Sequence, residues 1–296
     1  MEVYDGHCDT LLKLYSGEKT DFSFTQAGKY SGFFQIFACY SEDTDSLSVI
    51  TDKLYYFKKI ISHINNASLA YTPCHISSII KSGAVAGMLS LENCSCLNSD
   101  PSQLVSLYNL GVRVITLTWN GDNAFAHGCD CPTGGLTKKG RELISLADTL
   151  GIMIDVSHLN RQSFYDVLSF CKGKIFASHS SCYSINPHNR NLTDKQIKCL
   201  IERGGLICLC PNPPFISKSN CDITDFIQHI LHIYKLTDGK GIGLGFDTDG
   251  TEKNCKGLKN TCDYAFLYKK LSEYLNDYDV SNIFSYNFKE FLGISS

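Results

Sequence analysis

The chain has 296 residues, a formal charge of −3 and a hydrophobic fraction of 43%. That is ample for a large core, while the near-balanced charge, with no basic run longer than a pair such as Lys138-Lys139, gives a nucleic-acid or anionic-membrane role nothing to stand on. No uninterrupted apolar run approaches the ~20 residues needed to cross a bilayer, and the opening residues show no cationic or apolar leader pattern, so the expectation is a cytoplasmic protein without membrane contact.

Fifteen cysteines is a high, odd count. Many sit inside apolar runs (Cys39, Cys171, Cys199, Cys208, Cys210), where cysteine acts as a small hydrophobe, and they are read as reduced thiols. The cluster His127-Gly128-Cys129-Asp130-Cys131 lacks a second ligand pair at zinc-finger spacing, so a structural zinc site is not inferred from it.

Taken in order, the first strand is expected over residues 3–8, with Asp5-Gly6-His7-Cys8-Asp9 at its end. A second apolar run covers 32–39, followed by an amphipathic helix over about 45–65, and a third covers 84–91 and stops at Glu92. A helix over 101–110 opens on proline, whose missing N–H costs nothing in a first turn. Strand four, 113–119, leads into a Gly/Asp/Asn-rich loop over 120–135, long enough to suspect a function. After a helix over 138–150 come two short apolar runs, Ile152 to His158 and Lys174 to Ser180, each stopping near a histidine and separated by a helix over 161–171. That strand–helix–strand order implies parallel neighbours, with both imidazoles on one rim. Thr193 and Gln196 form a capping box for a helix over 194–203, and Gly204-Gly205 closes it before strand seven, 206–210. A helix over 223–234, strand eight over 241–246 and helices over 262–275 and 281–292 complete the chain.

Eight apolar strands, most followed by a helix or long loop, point to an α/β fold of the (β/α)8 TIM-barrel kind, here one catalytic domain over 1–296 with C-terminal helices. An open doubly wound sheet explains the strands as well, but it gives no reason to gather polar residues from strands one, three, five, six and eight. His7, Asp9, Glu92, His158, His179 and Asp247 all fall at a strand end or just beyond it. Singly, each has an ordinary alternative as a hydrogen-bonded core histidine, a cap or a turn residue. Together at one barrel mouth they suit Zn²⁺ or a similar divalent ion. Five ligands, His7, Asp9, Glu92, His158 and His179, are too many for one catalytic zinc with an open position. They fit two ions ~3.5–4 Å apart, bridged by a hydroxide and by Glu92, which has two oxygens to share.

At this point the chain resembles the membrane (renal-type) dipeptidases, a family of zinc metallopeptidases. The resemblance rests on Asp5-Gly6-His7-Cys8-Asp9, Leu117-Thr118-Trp119-Asn120, Asp155-Val156-Ser157-His158, Ser178-His179-Ser180-Ser181, Asn189-Arg190-Asn191 and Gly245-Phe246-Asp247-Thr248-Asp249-Gly250. It implies a binuclear zinc barrel that hydrolyses dipeptides, L,L and also L,D, with His7 and Asp9 on one ion, His158 and His179 on the other and Glu92 between them. It implies that Arg190 grips the substrate's C-terminal carboxylate and that Asp247 orients the attacking water and carries its proton to the leaving amine. A homodimer is suggested by the family alone. One position departs: members such as the renal enzyme have histidine where this chain has Trp119. This leaves Trp119 and Asn120 as substrate contacts, with Asn120, Asn123 or His127 as candidates for the missing bond to the scissile carbonyl. The rival readings are lactone or cyclic-amide hydrolysis on the same centre, and a metal-binding pseudoenzyme.

Overall fold

Strands that are apolar on both faces belong in a parallel sheet covered on both sides, and here they close on themselves. The structure is a computed structural model that describes residues 1–218 and 221–294; the last two residues of the expected 1–296 domain lie outside the described residues. The strands are β1 (Glu2–Cys8), β2 (Gly32–Tyr40), β3 (Ala67–Leu69), β4 (Val85–Glu92), β5 (Val112–Thr116), β6 (Met153–Asp155), β7 (Ile175–Ser180), β8 (Leu206–Leu209) and β9 (Ile242–Leu244). Hydrogen-bonded order runs β2-β1-β9-β8-β7-β6-β5-β4, and a β2–β4 pairing with Phe34 opposite Ala86 shuts the ring. All these pairings are parallel, which makes an eight-stranded TIM-type barrel.

β3 was not anticipated. It pairs only with β4, from Ala67–Val85 to Leu69–Gly87, and its half-exposed residues make no apolar run to read. Short helices at Thr10–Tyr15, Phe24–Ala27, Pro73–Lys81 and Pro213–Ile216 were also missed, and the expected 281–292 helix breaks into Asp277–Ser281, a π-helical turn Asn282–Tyr286 and Asn287–Leu292. Elsewhere the caps set the boundaries. Ser46 accepts from the Val49 amide and starts the helix Leu47–Ser62, two residues later than expected. Thr193 and Gln196 form the capping box at Asp194–Glu202. Leu104–Leu110 and Lys138–Leu150 both end on a left-handed glycine, Gly111 at φ +109° and Gly151 at φ +69°.

The core has two parts. One fills the space between ring and helices. The other occupies the lower barrel, where Tyr4, Phe34, Met88, Val114 and Phe176 point inward and Phe288 and Phe291 of the last helix pack beneath them. Phe288 lies 5.5 Å from Phe34 and 6.0 Å from Tyr4, centroid to centroid. The bottom of the barrel is therefore stoppered by aromatic rings, and the open end lies where the strands' C-termini point.

The reduced-thiol reading fails at one pair. Cys221 and Cys255 are joined in a disulfide, with Cα atoms 5.1 Å apart. They lie on the loops following β8 and β9, which run side by side here: Ile223 N–H donates to Lys256 O and Lys256 N–H to Cys221 O. A separation of 34 residues in sequence carries no hint of that meeting.

Close approach inside the ring fixes one glycine. A Cβ on Gly245 would stand 1.8 Å from the Ser178 carbonyl oxygen, so the chain just past β9 comes this near β7 only because no side chain is present. Gly245→Ala is expected to lower stability by about 1–3 kcal/mol or more, read as a fall in Tm and in the denaturant midpoint at an unchanged m-value.

Candidate active site

The rim residues arrive from the expected strands. His7 lies on β1 with Asp9 just beyond it, Glu92 is the last residue of β4, and His179 is near the end of β7. His158 and Asp247 each follow their strand in the left-handed region, at φ +70° and +55°. Non-glycine residues are strained there, and such strain gathers at functional sites. Asp9, Glu92, Trp119, Asn120, His158, His179, Arg190 and Asp247 line a single cavity of about 560 Å³, with His7 buried beneath it. The structure thus brings together every site residue expected from sequence.

Glu92 is at the centre. Its Oε2 is 3.4 Å from His7 Nε2, while Oε1 is 2.9 Å from His158 Nε2 and 3.8 Å from His179 Nε2. His7 Nε2 is also 3.4 Å from Asp9 Oδ2 and 3.8 Å from Asp247 Oδ1, yet it makes a hydrogen bond to none of the three acids. Each oxygen of Glu92 therefore faces its own set of imidazoles. Two triads of ligand atoms, His7–Glu92–His179 and His7–Asp9–Asp247, each lie within 4.8 Å.

The neighbouring bonds decide which ring nitrogens carry protons. Asn120 Oδ1 can only accept, and it is 2.7 Å from His158 Nδ1, so Nδ1 holds the proton and Nε2 presents a lone pair. At His179 the logic runs through a hydroxyl. Ser178 Oγ donates its one proton to Asp155 Oδ2 at 2.5 Å, so at 2.7 Å it accepts from His179 Nδ1. His158 Nε2 and His179 Nε2 are then two lone pairs 2.8 Å apart, beside a carboxylate oxygen. That contact is repulsive unless a cation lies among them.

Protonation behaviour shows the same demand. Burial alone would lower His7, but Glu92 and Asp9 beside it outweigh that and hold it well above the usual imidazole range. Burial, reinforced by the charges of Asp9 and Glu92, pushes Asp247 well up against the pull of His7. Burial and the Arg190 charge lower His158 to about 4, and burial with the His7 charge takes His179 well below its ordinary value. Two histidines are thus neutral, as metal ligands must be, and surplus acid draws protons where a cation would serve. The donor set fits divalent ions.

Arg190 lies in the loop after β7 and is 5% exposed. One amino group donates to the His179 carbonyl at 3.2 Å and the guanidinium rests 5.2 Å over the Phe215 ring, but Nε is buried without a partner. Among the described residues no carboxylate lies within ion-pair distance of it. Asn123 and His127 serve the loop instead: Asn123 bonds Asn93 and the Leu117 carbonyl, and His127 Nδ1 meets Gly135 O. Neither lines the cavity.

Sequence reasoning missed the support beneath the ligands. Asp155 receives the Ser157 and Ser178 amides as well as the Thr116 and Ser178 hydroxyls, tying β5, β6 and β7 together. Asp5 does the same for β1, β2 and β9 through Gln35, the Phe246 amide and the Tyr264 hydroxyl, and burial raises its pKa to about 6. The available signal was a charged residue inside an apolar strand, which demands a partner.

A closed parallel barrel with a buried histidine–carboxylate centre at the C-terminal mouth belongs to the metal-binding TIM barrels. More narrowly, the chain belongs to the membrane dipeptidase family, peptidase family M19, whose sequence profile matches residues 1–292. It is 33% identical over 266 residues to an uncharacterized dipeptidase of Schizosaccharomyces pombe, a match spanning 82% of this chain and 64% of that protein. It is 27% identical over 227 residues to the dipeptidase verJ of Clonostachys rogersoniana, spanning 74% of this chain and 58% of that one. The matched part is thus about three-fifths of the length of these curated relatives. Among solved structures, the fold is shared with a metallopeptidase from Rhodobacter sphaeroides liganded with a phosphinate mimic of the dipeptide L-Ala-D-Ala (21% identity, TM-score 0.91, covering 100% of this chain and 99% of that one). It is also shared with dipeptidase AC, an M19 metallopeptidase (22% identity, TM-score 0.90, covering 100% and 98%).

Because Asn120 fixes the His158 tautomer, Asn120→Ala is expected to weaken divalent-metal binding about 10–100-fold. Calorimetric titration of metal into the metal-free protein checks this, with circular dichroism confirming an unchanged fold.

Proposed function

We propose that the chain is a metal-dependent dipeptidase acting with two zinc or similar divalent ions, built as one catalytic domain. The observation that carries the reading is Arg190: a buried guanidinium with no acidic partner, one loop away from a ligand cluster that calls for cations. A planar fork in that position matches the terminal carboxylate of a peptide. A cavity of about 560 Å³ has room for a short substrate beyond it. A lactone or cyclic amide without a free carboxylate would leave Arg190 unpaired, which favours the dipeptide reading over that rival.

His7 and Asp9 would hold one ion, His158 and His179 the other, and Glu92 would bridge them. When bound, the ions supply Lewis acidity and bring the pKa of water from ~15.7 toward ~7. The chain's own residues do the rest. Arg190 anchors the C-terminal carboxylate and so sets the scissile bond above Glu92. Asp247, whose burial among other acids draws a proton when no cation is beside it, would be ionised once cations offset that charge, and as the carboxylate it takes a proton from the attacking water and returns it to the leaving amine. Trp119, 6.1 Å from the His158 ring, stands on the side where members such as the renal enzyme carry histidine and offers its ring to the substrate.

The test is a panel of L,L and L,D dipeptides with metal content measured in parallel. Turnover should vanish on chelation and return with Zn²⁺, and metal should raise Tm, as any ligand of the native state does. Arg190→Ala should raise KM about 100-fold on free dipeptides and have little effect on C-terminally amidated ones, while Asp247→Asn should lower kcat at least 100-fold with KM nearly kept. Metal binding without turnover of any dipeptide would leave the pseudoenzyme reading standing.

A further inference from the structure

The cavity wall facing Arg190 has no part in the reaction described so far. Around the eight-membered ring β2 and β7 are four strands apart in either direction, so the loops following them face each other across the mouth. Arg190 comes from the β7 side. On the other side Tyr40 ends β2 and Glu42 follows it, both lining the cavity. Trp119 stands beside them, its ring 5.7 Å from that of Tyr40 at 67°, and it is 45% exposed although it is the chain's one tryptophan.

Glu42 is held out by a firm loop. Ser41 N–H donates to Glu92 O at 2.9 Å, and Asn93 Nδ2 donates to both Ser41 O and Asp43 Oδ1 at 2.9 Å. Lys53, the cation that anchors this segment through Tyr40 O, is already paired with Asp45 at 2.8 Å. The Glu42 carboxylate is exposed, and its side-chain partner is the Tyr40 hydroxyl at 3.4 Å. Among the described residues no lysine, arginine or histidine forms an ion pair with it. One face of the cavity thus offers an unmatched cation and the opposite face an unmatched anion flanked by two aromatic rings.

We propose that Glu42, Tyr40 and Trp119 form a subsite for a cationic side chain on the amino-terminal residue of a dipeptide, making Lys-X and Arg-X the favoured substrate class. The proposal deepens the dipeptidase reading and rests on it. An extended dipeptide spans about 7 Å. With its carboxylate on Arg190 and its scissile bond over Glu92, its amino-terminal side chain is directed toward the β2 wall. A lysine or arginine stem covers the indole face, its charge meets the ring quadrupole, and its head reaches the Glu42 carboxylate. An acidic side chain would meet like charge there.

The experiment measures kcat/KM of the metal-loaded enzyme on Lys-Ala, norleucine-Ala, Glu-Ala and Ala-Ala. Norleucine carries the lysine stem without its charge. The expected result is about a tenfold preference for Lys-Ala over norleucine-Ala, shrinking with added salt. Glu42→Gln should bring that ratio close to one, and Glu42→Lys should shift the preference to Glu-Ala. Equal rates on Lys-Ala and norleucine-Ala would overturn the subsite while leaving the dipeptidase reading intact. So would a Glu42→Gln loss that falls equally on every dipeptide, since Glu42 would then be holding the α-ammonium common to all. Turnover of no dipeptide at all would remove the parent reading and the subsite with it.

Discussion

Three carboxylates and three imidazoles crowd into one buried space around Glu92, and this arrangement does not tolerate emptiness. Isolated charges are costly to bury, and the response shows in four of the six groups. His7 is held protonated, Asp247 is driven toward its neutral form, and two more imidazoles stay neutral with their lone pairs aimed at each other. Divalent cations suit this donor set, since they can satisfy several of these groups together where protons satisfy them one at a time.

Holding such a repulsive cluster in place is the task of the barrel. The attraction of His7 for its neighbouring carboxylates does not offset the repulsion elsewhere in the cluster, so the ligands' positions are set from behind. Asp155 gathers β5, β6 and β7, and Asp5 gathers β1, β2 and β9. Each accepts four hydrogen bonds, most of them from other segments of the ring or its covering helices, so closing the ring and aiming the histidines are one act. The close contact at Gly245 belongs to the same geometry. The positive φ angles at His158 and Asp247 show where the chain is bent beyond its ease to bring a side chain to the centre.

Much of this was legible in the sequence, for a physical reason. Parallel strands buried on both faces must be continuous apolar runs, so eight of them stand out, and a charged or imidazole residue at the end of such a run needs a partner. That reasoning locates His7, Glu92, His158 and His179 before any fold is drawn. Arg190 is different, because a loop arginine looks the same whether solvated or buried, and only resemblance to a family singled it out. The half-exposed β3 left no pattern, since its burial comes from one neighbour alone. The Cys221–Cys255 bond was hidden for a similar reason: it depends on two rim loops lying side by side, which no local signal encodes. Asn120, read as a substrate contact, lines the cavity and also places its amide oxygen on His158, a second role visible only once the rings had positions.

The aromatic stopper made by Phe288 and Phe291 has a further consequence. With the interior filled from the foot upward, the floor of the mouth is the ligand cluster itself, and the cavity opens only on the side of the strands' C-terminal ends.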